Sequence, residues 1–101
     1  MRFVNSQEES YRNMIGKIYQ HKKYSGNFKI QIVGLMYNPN RNVFIYIFTS
    51  LNQNMRFYDI QDFKRVINNI GCKIKIFDIE ENHSYGFCDC NLFDEYYLLL
   101  N

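Results

Sequence analysis

The sequence predicts an α+β domain in which two main helices pack on a four- to five-stranded, mainly antiparallel sheet, in the order α-β-β-(β)-α-β-β-(α). Three observations lead there. Two segments carry apolar residues at helical spacing, and period-2 segments lie between and after them. The run Tyr37-Asn38-Pro39-Asn40-Arg41-Asn42 has the chemistry of a turn and joins two strand-like stretches into a hairpin. The chain has 101 residues, enough for one core and not for two, so residues 1–101 are read as a single domain.

The elements follow in order. Ser6 and Glu9 have the spacing of a capping box and predict a helix running to about Lys23, with Tyr11, Met14, Ile15, Ile18 and Tyr19 as its apolar stripe. Lys17, His21, Lys22 and Lys23 fall late in it, where cations suit the C-terminal dipole, and Ser25-Gly26-Asn27 is the expected stop. Phe28–Ile32 alternates as a strand with one wet face, and Gly34 marks a bulge. Val43–Phe48 is apolar on both faces, with Val43, Ile45 and Ile47 on one side and Phe44, Tyr46 and Phe48 on the other, so each side needs a cover. Thr49–Asn54 reads as a loop and Met55–Tyr58 as a short strand.

Asp59 is the expected N-cap of a second helix whose stripe is Ile60, Phe63, Val66, Ile67 and Ile70, closed by Gly71. Cys72–Ile79 and Tyr85–Cys90 read as strands joined through Glu80-Glu81-Asn82-His83. Asn91 is the expected cap of a last short helix containing Phe93, Tyr96, Tyr97 and Leu100, for which a final strand is the competing reading.

Composition narrows the functional classes. Aromatic residues make up 18% of the chain, as nine Tyr and nine Phe without Trp, and Tyr-rich surfaces favour protein interfaces. No stretch approaches the roughly 18 apolar residues of a membrane span, so no membrane role is expected. Three cysteines fit a reducing compartment better than a disulfide framework, and the opening residues Met1–Ser6 do not resemble a secretory leader. A cytoplasmic location follows as the expectation. Ala is absent while Asn, Ile, Lys, Tyr and Phe are abundant, a bias that suggests an AT-rich genome such as a low-GC bacterium, its phage or another mobile element.

The net charge of +2 conceals a polarity. Residues 1–75 hold all twelve Lys and Arg against four acids, which leaves +8, whereas residues 76–101 hold six acids and no base. Such asymmetry suggests either a charged partner or an acidic end folded on a basic body.

No catalytic set stands out. Cys72, His83, Cys88 and Cys90 are the ligand types zinc prefers, but the chain lacks paired C-x₂₋₄-C knuckles, so no metal is expected. Asp59 and Asp62 are explained by the helix start, and no phosphate loop, nucleophile elbow or H-E-x-x-H motif occurs. No cofactor and no enzymatic activity are expected.

The expected function is stoichiometric binding of a protein or ribonucleoprotein, as a small phage or mobile-element inhibitor of anti-defence or anti-CRISPR type. Phe44, Tyr46, Phe48, Asp78, Glu80, Glu81, Tyr96 and Tyr97 are the candidate contacts. The first alternative is a single-stranded RNA- or DNA-binding module. It would stack bases on the same aromatic row and use Lys22, Lys23, Lys29, Arg41, Arg56, Lys64, Arg65, Lys73 and Lys75 as a basic face. The second is an antitoxin or immunity protein. A homodimer covering an apolar face satisfies the same pattern.

Overall fold

A computed structural model of the chain describes residues 6–23, 28–52, 56–80 and 83–100. They form an α+β fold in the order α1 (Ser6–Arg12), β1 (Ile18–His21), β2 (Lys29–Asn38), β3 (Val43–Ser50), α2 (Ile60–Ile70), β4 (Lys73–Phe77), β5 (Tyr85–Asp89), α3 (Cys90–Tyr96) and β6 (Tyr97–Leu99). The sheet has six strands, one more than the upper expectation, and every pairing is antiparallel. Its order is β5-β3-β2-β1-β6, and β4 also pairs with β2.

Two strands, β1 and β6, lie outside the expected order, and β1 comes out of the predicted first helix, which ends at Arg12 rather than near Lys23. Gly16 explains the stop. It adopts φ +93°, in the left-handed region, and its N–H donates to the Ile32 carbonyl at 2.7 Å instead of continuing a helix. From Lys17 onward the apolar spacing fits a period of 2 as well as 3.6, and pairing of Ile18–Gln20 with Lys29–Gln31 selects the strand. Ser6 is itself the first helical residue, so the cap position falls outside the described residues, as do Ser25-Gly26-Asn27.

The β2–β3 hairpin forms as expected, with Ile30 opposite Ser50 and Asn38 opposite Val43. Asn38, 1% exposed, accepts the backbone N–H groups of Asn40 and Arg41 at 3.0 and 3.3 Å, which closes the turn. The bulge falls between Ile32 and Gly34. It divides β2 into two halves with different neighbours: Lys29–Gln31 pair with β1, whereas Gly34–Tyr37 pair with β4. Glycine is required at 34 because a Cβ there would lie 2.5 Å from the Ile76 carbonyl oxygen.

Helix α2 is built as its sequence predicts. Asp59 accepts the Asp62 N–H at 2.8 Å, and Gly71 closes the helix at φ +82° with its N–H on the carbonyls of Ile67 and Asn68. The other local expectations shift. Tyr58 makes only an isolated bridge to Tyr85 instead of a strand, and Met55 lies outside the described residues. The strand expected over Cys72–Ile79 is limited to Lys73–Phe77. Asn91 lies inside the first turn of α3, and Asp89 holds the cap position. The Asp89 carboxylate makes no cap bond because it pairs with Arg41 at 2.8 Å. The two readings of the C-terminal segment are both realised, as α3 followed directly by β6.

The helices lie on opposite sides of the sheet, and this decides the fate of β3. On one side Tyr46 and Phe48 join Tyr19, Ile30, Ile32, Leu35, Phe93 and Tyr97, with Tyr11 of α1 and half-buried Phe44 at the margin. On the other side Ile45 and Ile47 join Met36, Tyr85 and the α2 residues Phe63 and Ile67. Val43–Phe48 is therefore an interior strand covered on both faces.

Candidate partner-binding surfaces

The aromatic row is core rather than an open platform. Tyr11 packs on Phe44 and Tyr46 with ring centroids 5.8 and 5.6 Å apart, and Phe93 sits 5.0 Å from Tyr46 and 6.0 Å from Phe48. Burial, reinforced by neighbouring thiol, phenol and carboxyl groups, holds the Tyr46 hydroxyl far above the usual phenol range. Tyr97, a candidate contact by sequence, is also buried. It stacks on Phe93 at 4.6 Å, and burial pushes its hydroxyl up to about 12. Tyr96, its neighbour on the outer side of α3, is exposed.

The nine candidate bases do not share one face. Lys22, Lys23 and Lys29 gather where β2 begins, whereas Arg41 and Lys73 stand at the hairpin end of β2, about 30 Å away along a ten-residue strand. Among the described residues three of the nine form ion pairs: Arg41 with Asp89 at 2.8 Å, Arg65 with Asp62 at 3.1 Å and Lys75 with Glu8 at 3.7 Å. The Arg41–Asp89 pair is also where the acidic C-terminal part meets the basic body. Among the described residues, Asp78, Asp94 and Glu95 make no ion pair, and all three are exposed.

The candidate zinc ligands do not converge. Cys72 packs with the α2 side of the core, whereas Cys88 and Cys90 pack with the other side. Among the described residues no group of three or more His, Cys, Asp or Glu side chains is placed to hold a metal ion. Burial, with Asp89 nearby, pushes the Cys88 thiol up to about 11, and burial moves Cys90 further in the same direction. Both thiols stay protonated at neutral pH, the state in which a cysteine is a poor nucleophile and a poor metal ligand.

Two exposed surfaces remain. The first is organised by Tyr85, which is 1% exposed. Its backbone bridges Tyr58, with N···O distances of 3.1 and 2.7 Å. Its hydroxyl accepts the Glu80 N–H at 2.8 Å and donates to the Glu80 carbonyl at 2.9 Å. One buried residue thus holds two separate loops, one through its backbone and one through its hydroxyl. The exposed residues on them are Tyr58, Asp59, Asp78, Ile79 and Glu80, with Arg56 at the margin. Tyr58 is 45% exposed and stacks on Phe87, and Ile79 is 51% exposed. His83 closes on the Glu80 carboxylate at 2.8 Å. Glu81 lies outside the described residues.

Tyr58 and Ile79 are expected from sequence as strand ends rather than as contacts, because the pattern does not show that each falls in a loop beyond the sheet. The second surface is the outer edge of β6, where Leu98 is 58% exposed beside exposed Leu99 and Leu100. Of these leucines only Leu100 enters the sequence expectation, as part of the last helix, and the strand seen here is the competing reading of that segment.

Among the described residues no helix is long and apolar enough to cross a membrane. Comparison of the chain with protein-family models, with curated proteins and with solved structures finds no match in any of the three.

Proposed function

We propose that this chain is a non-enzymatic binding protein that attaches stoichiometrically to a nucleic-acid-handling protein or ribonucleoprotein and inhibits it. The observation that carries the reading is the surface fixed by Tyr85. Carboxylates of Asp59, Asp78 and Glu80 stand beside the exposed side chains of Tyr58 and Ile79, on loops tied to one buried residue. A groove built to hold phosphate is basic, and carboxylates on a rigid frame complement it while the apolar residues supply contact area. Rigid loops also lose little entropy on binding.

Two further features support the reading. The composition bias fits a phage or mobile element, where small inhibitors of host nuclease systems are useful, and the three free cysteines fit a reducing cytoplasm. Burial of Tyr46 and Phe48 takes away the stacking surface that direct single-strand recognition requires. An antitoxin or immunity protein would use the same surface against a different target.

The test is capture from a natural host lysate, with the wild-type chain and the variant Asp78→Lys/Glu80→Lys side by side. The wild type is expected to retain a nucleic-acid-handling protein at 1:1 stoichiometry and to suppress its activity, and the variant to bind at least about tenfold more weakly. Equal capture by both proteins overturns the reading. So does tight binding of labelled single-stranded RNA to the purified chain at about 50 mM salt that collapses at moderate salt.

A further inference from the structure

The sheet has three outer edges, and they are treated differently. The edge of β5 is bridged by Tyr58. The edge of β4 carries Lys73 and Lys75, charged residues of the kind that discourage strand addition. The edge of β6 has neither device: its sequence is Tyr97-Leu98-Leu99, followed by Leu100.

The inner side of β6 is saturated by β1. The Tyr96 carbonyl accepts from Lys22 N–H at 2.8 Å, and the Leu100 N–H donates to the Ile18 carbonyl at 3.1 Å. In an antiparallel ladder the bonded residues alternate. Leu98 therefore faces Gln20, whereas both backbone groups of Leu99 and the carbonyl of Tyr97 point outward. Among the described strands none pairs with them.

We propose that β6 pairs antiparallel with β6 of a second copy of this chain, about a two-fold axis at Leu99. In that register each Leu99 N–H donates to the Leu99 carbonyl of the other copy, and Leu98 stands opposite Leu100. Leu98, Leu100 and Ile18 share the side of the sheet on which α2 lies, because Tyr19 and Tyr97 occupy the other side. The α2 core includes no residue of β1 or β6, so among the described residues this patch is left open in one copy. Two copies join it into a row of four leucines flanked by Ile18 and Gln20 of each, with no charged residue inside it.

On the opposite side of the sheet from this row, the charges of the two copies are complementary. Lys17 of one copy comes to about two strand spacings, roughly 10 Å, from Tyr97 of the other, where α3 ends with exposed Asp94 and Glu95. By alternation Lys17 lies on the same side of the sheet as α3. The pairing leaves the Tyr85 surface free, since β5 and β6 terminate the sheet at opposite edges.

A three-residue edge buries little area, so the pair belongs to the weak class of interfaces and is read at high micromolar concentration. The experiment is sedimentation equilibrium of the full chain up to about 500 μM, combined with amide hydrogen exchange at low and high concentration. The expected mass is twice 12.3 kDa at the upper end. The Leu99 amide is expected to exchange freely in the dilute protein and to become at least tenfold slower in the concentrated one. The Leu100 amide, bonded to Ile18 within one copy, is expected to be protected throughout.

Leu98→Lys/Leu100→Lys places four ammonium groups at the axis and is expected to keep the protein monomeric, with Leu100 protection retained as proof that β6 stays docked. A wild type that remains monomeric at 500 μM overturns the proposal. A dimer whose Leu99 amide stays unprotected, or a dimer that persists in the double variant, overturns it equally.

Discussion

The two faces of β3 are covered in different ways. The face carrying Phe44, Tyr46 and Phe48 is closed by elements distant in sequence: α1 lies before it, and α3 and β6 come some forty or more residues after it. The face carrying Val43, Ile45 and Ile47 is closed by α2, which follows β3 after a short connection. The first core is a network of rings, with Phe93 touching Tyr19, Tyr46, Phe48 and Tyr97. In the second, β3 contributes the aliphatic Ile45 and Ile47, and the rings come from other elements, where Phe63 touches Phe77, Tyr85 and Phe87 and Phe77 packs on Tyr85. An aromatic row on a strand is therefore no sign of an open binding face. It is equally what a strand needs when its cover arrives late and in pieces, because large rings bridge gaps between several small elements.

The largest test of this contrast removes the central ring from each core. Phe93→Ala and Phe63→Ala are each expected to cost about 3–5 kcal/mol, since both side chains are fully buried. Urea unfolding monitored by tyrosine fluorescence measures the loss. If the cores are independent supports of one strand, a variant carrying both changes loses the sum; a smaller loss shows that one core already depends on the other.

A middle-sized effect comes from Gly34→Ala. The added Cβ meets the Ile76 carbonyl, and β4 must shift away from β2, at an expected cost of about 1–3 kcal/mol. Because Phe77 packs at the margin of the α2 core, amide exchange should rise in β4 before it rises in β1, although both strands flank β2.

The smallest effect is a pH dependence. The Cys88 thiol titrates near 9 when unfolded and at about 11 when folded, so folding favours the protonated form. Its contribution is complete below pH 9 and is lost as pH rises from 9 toward 11, by about 1 kcal/mol at pH 10. Cys90, on the same face, acts in the same direction. Cys88→Ala should flatten the alkaline slope of stability without removing it, as read from unfolding midpoints between pH 8 and 10.

Much of the fold was legible because local signals agreed. Asp59 and Gly71 bound α2 at both ends, and Asn38 with Asn42 marked the hairpin. Ile18–His21 misled because a four-residue strand leaves too short a pattern to separate period 2 from period 3.6, and its identity is set by β2 and β6. The candidate surface was legible only in part. Asp78 and Glu80 were visible as charges, but the use of the Tyr85 hydroxyl to fasten Glu80 joins residues through a side chain, which no spacing rule records. The split of the apolar residues between two cores was undecidable from β3 alone, since both of its faces are equally apolar.

The pairing of β1 with β6 has a consequence for how the molecule comes into being. Tyr19 finds Leu99 across eighty positions of chain, from 19 to 99. Everything needed for the hairpin and α2 is made long before that partner exists, and contacts of such separation form slowly because a large loop must first close. On the ribosome, β1 therefore waits beside β2 with an exposed margin, and Tyr19, Ile30 and Ile32 wait without the rings of Phe93 and Tyr97. The nascent chain passes through a stage in which its aromatic core is half built and open to solvent, and only the arrival of α3 and β6 ends that exposure.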